Sequence, residues 1–133
     1  MHYCADTWFL LILFGKDSHA REILEGIKTG KDWLFIPYIT YAETMKKLFQ
    51  QGYSENDIKS FFELLENTKK VRFISAEKSI SQEAAKISLS FDIPLIDAFI
   101  AATAKVTNCN ILLAKDSDFD ILKKRNYIKT QSW

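Results

Sequence analysis

The segment PLIDAFIAATA, residues 94–104, decides how this chain is read. Pro94 lacks an N–H and has a fixed φ, so it suits a helix start, and the small residues behind it predict a helix over Leu95–Val106. Asp97 is the only ionisable residue between Ile93 and Ala104. A carboxylate in a first turn is favoured by the helix dipole. That preference does not require an apolar surround on both sides, so Asp97 is a candidate for chemistry.

Outward from this segment, helical periodicity dominates. Ala20, Ile23, Leu24 and Ile27 recur at i, i+3, i+4, i+7, with Asp17 or Ser18 to cap the start and Gly30 to end the helix. Ile58, Phe61, Phe62 and Leu65 repeat the pattern behind Ser54 as N-cap. Both phenylalanines are assigned to one wide apolar stripe, with a dimer or partner surface as the alternative. Ile80, Ala84, Ile87 and Phe91 mark another face. Short apolar runs at Tyr3–Ala5, Trp33–Tyr38, Val71–Ser75, Ile111–Ala114 and a weak Tyr127–Lys129 suit strands covered on both sides. One or two helices lie between successive runs, which implies parallel strands. The expected architecture is α/β: a three-layer α/β/α sandwich around a central parallel sheet of four to five strands, formed by residues 1–133 as one domain.

Open α/β sheets bind ligands at the carboxyl ends of their strands. Asp6 closes the first strand candidate, Asp116 and Asp118 follow the fourth, and Glu43 falls in the first turn of the helix after the second. Two carboxylates about 5 Å apart at an effective dielectric near 20 repel by on the order of 3 kcal/mol. Lys115 is the only basic residue immediately beside these acids, so either some acids hold protons or a cation fills the site. An all-oxygen donor set without Cys or His selects Mg²⁺ or Mn²⁺, which serve phosphodiester cleavage. Each acid also has a purely structural explanation. Asp6 can end a strand. Thr40 and Glu43 fit a T-x-x-E capping box. Asp97 can favour a helix dipole, and Ser117 or Asp118 can cap a helix starting near Phe119. Four such coincidences on one sheet edge are less economical than one site.

The 133 residues are about one domain's worth, enough to bury a core without metal or disulfide staples. The charged fraction of 26% and the low Gly and Pro counts exclude a disordered or fibrous chain. The longest apolar run, Trp8–Phe14, is too short to span a bilayer and has no basic residue ahead of it, so a cytoplasmic protein with no membrane span is expected. Cys4 and Cys109 are too few for a disulfide framework, and the two histidines cannot make a His-rich metal site. With Asp6 assumed level with Asp116, Cys109 lies about 16 Å below Cys4 along the sheet, so both thiols are expected free. A net charge of +1 decides nothing about nucleic acid. Local clusters matter more: Lys123, Lys124, Arg125 and Lys129 crowd the C-terminal region, where helix-end stabilisation is the simpler explanation.

Four segments together resemble the PIN domain family. ADTWFLL (5–11) resembles its first acid and following apolar helix, and PYITYAETMKKL (37–48) its second segment with Glu43 as the acid. PLIDAFIAATA matches the family's D-A-x-I-A-A-T-A pattern with Asp97, and LLAKDSDFDIL (112–122) its closing segment, with Asp116 as fourth acid and Asp118 as an occasional fifth. The resemblance covers nearly the whole chain, and its length is that of the single-domain VapC-like toxins of toxin–antitoxin pairs. It implies a Mg²⁺- or Mn²⁺-dependent endoribonuclease acting on structured RNA such as tRNA or rRNA, a homodimer, and an antitoxin partner. Asp6, Glu43, Asp97 and Asp116 would be catalytic and, with Asp118, would hold metal. Lys46, Lys47, Lys115, Lys123, Lys124 and Arg125 would contact RNA. Two positions depart from the family: Ala114 stands where Ser or Thr is usual, and Trp8 where Asn or Ser is frequent. They motivate a second reading, a PIN-like module that binds RNA or a protein partner without cutting.

Overall fold

A computed structural model describes all residues 1–133. The strands are β1 (His2–Ala5), β2 (Trp33–Pro37), β3 (Val71–Ile74), β4 (Ile111–Leu113) and β5 (Thr130–Gln131). The helices are α1 (Thr7–Phe14), α2 (Ser18–Lys28), α3 (Tyr38–Gln50), α4 (Glu55–Glu66), α5 (Lys78–Phe91), α6 (Leu95–Val106) and α7 (Asp120–Lys124), with a 3-10 turn at Ser117–Phe119. All strand pairs are parallel, in the order β3-β2-β1-β4-β5. The chain first builds outward from β1 to β3, then crosses to the other side of β1 for β4 and β5. The order therefore reverses between β1 and β4, and the crevice above their carboxyl ends is the natural ligand position.

Alternating side chains divide the core into two layers. Ala5 and Leu113 face one side, where they join Phe9, Leu10, Leu34, Ile36, Leu48 and Phe62 from the sheet and α1–α4. Cys4, Leu112 and Ala114 face the other, packed under α5–α7 with Ile87, Ile100 and Phe119. This is the three-layer α/β sandwich expected, with five strands. Ala98, Ala101, Ala102 and Ala104 on α6 are all fully buried, and short side chains there let the helix lie close on the sheet. Phe62 is buried, while Phe61 is half-buried and meets Phe14 edge-on.

Three expectations need correction. The last strand is Thr130–Gln131, not Tyr127–Lys129. Asn126 takes a left-handed φ of 55°, and the Tyr127 N–H returns to the Leu122 carbonyl (2.9 Å), so these residues close a turn. Asp6 is not level with Asp116: Ala5 pairs with Leu113, which sets Asp6 opposite Ala114. Nor are the cysteines far apart. Both are free, and Cys109 packs against the layer that holds Cys4; the Cys4 Sγ faces the Ile100 carbonyl (4.0 Å) and the Cys109 Sγ the Thr107 hydroxyl (3.2 Å). The neighbouring Cys109, then burial, pushes the Cys4 thiol pKa well up, while Cys4 draws Cys109 down.

Candidate active site

Asp6, Glu43, Asp97 and Asp116 line one cavity of about 310 Å³ at the carboxyl edge of the sheet, together with Lys47 and Lys115. Each acid is delivered by a different element. Asp6 leaves the end of β1 as the N-cap residue of α1, its backbone N–H bonded to the Leu113 carbonyl (3.1 Å). Glu43 comes from the second turn of α3, not the first, because the helix already starts at Tyr38 behind Pro37; Asp97 comes from the first turn of α6. Asp116 stands just past β4, where its Oδ1 accepts the Asp118 N–H (2.9 Å) and so caps the 3-10 turn. Ser117 and Asp118 do not serve as that cap.

The capping-box explanation of Glu43 fails. Thr40 lies inside α3, and its hydroxyl donates across to the Ala5 carbonyl (2.9 Å), tying α3 to the end of β1. Glu43 instead accepts a hydrogen bond from the Thr7 hydroxyl. Thr7 is a site residue that the sequence reading missed; its place directly after the first acid was the available signal. Asp97 makes no side-chain cap bond either.

Asp97, Asp116 and Asp118 each offer a carboxylate oxygen within 4.8 Å of the others. Carboxylate oxygens gathered this closely are the hard donors that Mg²⁺ or Mn²⁺ would take. Asp6 and Glu43 share the cavity but stand outside this tight group. None of the molecule's three ion pairs involves any of the five acids. The consequence is a strained set of protons. Burial, then the charges of Glu43 and Asp116, raises the Asp6 pKa to about 6, against partial relief from nearby backbone N–H groups. Burial, a hydrogen bond with Asp118 and the charges of Asp116 and Asp6 raise Asp97 to about 7. A hard divalent cation fits this donor set and would relieve the repulsion.

The predicted basic residues divide. Lys47 and Lys115 line the acid cavity, and the Lys115 Nζ donates to the Trp133 carbonyl (3.1 Å). Lys46 is exposed on α3 but does not line that cavity, and Lys123 lines a different one. Lys124 and Arg125 are exposed at the end of α7. Trp8 forms part of the cleft wall and packs edge-on against Trp133, with ring centroids 5.0 Å apart. Ala114 is buried in the layer beneath α5–α7, and its N–H bonds to the Gln131 carbonyl (3.1 Å).

A doubly wound parallel sheet with carboxylates converging at its switch point defines a class of α/β proteins suited to divalent cations and phosphate chemistry. The family model for the PIN domain matches residues 3–125, and the chain belongs to that family. None of the curated protein sequences matches it. Among solved structures, VapBC2 from Rickettsia felis bound to a DNA fragment from its promoter is similar at 16% identity and a TM-score of 0.78, covering 100% of this chain and 99% of that one. VapBC-1 from nontypeable Haemophilus influenzae aligns at 23% identity and a TM-score of 0.70, covering 100% and 98%. VapC20 from Mycobacterium tuberculosis, a sarcin-ricin loop cleaving toxin, aligns at 16% and 0.69, covering 89% and 92%. No helix of this chain is long and apolar enough to cross a membrane.

Proposed function

We propose that this protein is a Mg²⁺- or Mn²⁺-dependent endoribonuclease, the toxin of a toxin–antitoxin pair, working in the cytoplasm as one domain and as a homodimer restrained by an antitoxin. The observation that carries the reading is the convergence of four carboxylates with no ion-pair partner in one cleft, with a fifth beside them. Asp97, Asp116, Asp118 and Asp6 would hold the cation, and Glu43 would complete the set directly or through water. The cation would neutralise charge developing on the phosphoryl oxygens and favour ionised water as the nucleophile. One of these acids would accept a proton from the attacking water, and Glu43, which accepts a hydrogen bond from Thr7, is our candidate for it. Lys47 and Lys115 would hold the phosphate against the acids, and Lys46, Lys123, Lys124 and Arg125 would contact RNA further out. A tRNA or rRNA loop is the expected substrate.

The test is cleavage of labelled total RNA and a tRNA panel in EDTA, Mg²⁺ or Mn²⁺, beside Asp97→Asn. Metal-dependent product that disappears in the variant is the expected result. The second reading, a PIN-like module that binds without cutting, is favoured by Trp8 in the cleft wall and by the missing hydroxyl at Ala114. Binding that persists with no product at saturating Mn²⁺ would establish it.

A further inference from the structure

Two cavities larger than the acid cleft lie away from it, and lysines and amides rather than carboxylates supply their polar lining. One, of about 460 Å³, opens at the lower end of β4 between Lys105, Asn108, Asn110, Asn126 and Lys129. The other, of about 520 Å³, runs beside β5 past Lys123, Lys129, Thr130 and Gln131. They share Ile111, Asn126, Ile128 and Lys129, so the two are continuous. Neither is lined by an acid. Asn108 and Asn126 both take left-handed φ, at 56° and 55°, where the short amide side chain is tolerated. Lys105 donates to the Tyr127 carbonyl (3.1 Å) and sits 4.5 Å from the centre of the Tyr127 ring, which fixes its ammonium at the cavity wall.

Backbone hydrogen bonds tie the upper end of this trough to residues beside the acid cleft. Gln131 lines it and accepts the Ala114 N–H, while Trp133, two residues on, accepts Lys115 from the cleft. The edge strand β5 and the residues after it thus stand between the lysine-bearing trough and the acid cleft. β5 has no further strand beyond it. Resting on the ribonuclease reading above, we infer that a single-stranded segment of the RNA substrate leaves the acid cleft over β5 and lies in this trough. Lys105, Lys123 and Lys129 bind its phosphates, and the amides and Thr130 bond to its sugar hydroxyls and base edges. Three lysines and neutral amides with no acid suit a phosphodiester chain bearing 2′-hydroxyls, and the apolar Ile111, Tyr127 and Ile128 of the same lining offer surface to its bases.

The test uses the full chain and a fluorescein-labelled oligouridine, with the oligothymidine of equal length beside it. Anisotropy titrations in EDTA at rising KCl measure the salt slope of binding. Lys105→Gln with Lys129→Gln removes two phosphate contacts, and the slope is expected to fall by about 1.4 at roughly 0.7 per contact. Lys129→Gln alone, at an exposed site, is expected to lower it by about 0.7 and covers the case in which the double variant does not fold. On a long RNA substrate KM should rise about tenfold with kcat nearly unchanged, because the lost contacts are uniform binding. An unchanged slope in variants whose parent cleaves RNA overturns the trough and leaves the ribonuclease reading standing. Equal affinity and equal loss with oligothymidine overturns the RNA assignment in favour of a general polyanion surface. Lysine-dependent oligouridine binding in a protein that cleaves nothing supports the trough while the ribonuclease reading fails.

Discussion

Glu43 shows what a single residue's partners decide. Its spacing from Thr40 matches a capping box, but each of the two side chains is turned to a neighbour elsewhere in the fold, Thr40 to Ala5 and Glu43 to Thr7. Glu43→Gln keeps the size and the ability to accept from Thr7 while losing the charge. If the residue serves the site, cleavage should fall by about 10²-fold or more with little change in melting temperature. Equal activity in the Gln variant, with a loss of stability only in Glu43→Ala, would make the acid structural. Asp97 was legible from its surroundings alone, since nothing apolar or small around it could use a charge. Thr7 offered only its place directly after Asp6, because a threonine at a helix start reads as ordinary until the carboxylate it serves is seen.

At the scale of elements, the sequence reads best where local chemistry sets the boundary. Pro94 starts α6, the Asp17 side chain accepts the Ala20 N–H to start α2, and Ser54 accepts the Asp57 N–H at 3.1 Å to start α4. Ser54→Ala should therefore cost about 1 kcal/mol in urea denaturation. A change within error would show that packing of Ile58, Phe62 and Leu65 holds α4 without its cap. The strand ends were harder to read. β5 is two residues long, and the apolar pair Tyr127–Ile128 that suggested it closes a turn, with the Tyr127 hydroxyl donating to Glu83 on α5. β1 and β4 pair across more than 100 residues of intervening chain, so no local pattern reveals their register. The error of two residues carried directly into the misplaced cysteines.

For the whole molecule, the acid cluster couples stability to pH. Asp6 and Asp97 ordinarily titrate near 3.8 but are raised to about 6 and about 7 in the fold. The folded protein therefore binds these protons more tightly than the unfolded chain. The stabilising contribution is complete below about pH 4 and is lost as pH rises through 6 and 7. For buried Asp6 the loss is on the order of 3 kcal/mol at high pH. Metal-free protein in EDTA should melt at a higher temperature near pH 5.5 than near pH 8. Asp97→Asn should raise the melting temperature at the alkaline end, and Mg²⁺ or Mn²⁺ should flatten the trend. A flat profile in EDTA would mean that the acids do not repel one another. The architecture itself was readable in advance: parallel strands, helices between them and acids at the strand ends together specify where the cleft lies.

The pairing of Trp8 with Trp133 gives the protein an optical reporter of its own. These two indoles touch at the wall of the acid cleft, whereas the third, Trp33, lies beneath Lys70 and Arg72 on a different part of the sheet. Lys115 sits 5.9 Å from the Trp8 ring centre, so a charge entering the cleft changes the field at one emitter and leaves Trp33 as an internal standard. Titration of the unlabelled protein with Mn²⁺ should quench or shift the emission of the cleft pair, and Trp8→Phe should remove most of that response. Cation occupancy can thus be followed by intrinsic fluorescence before any substrate is known.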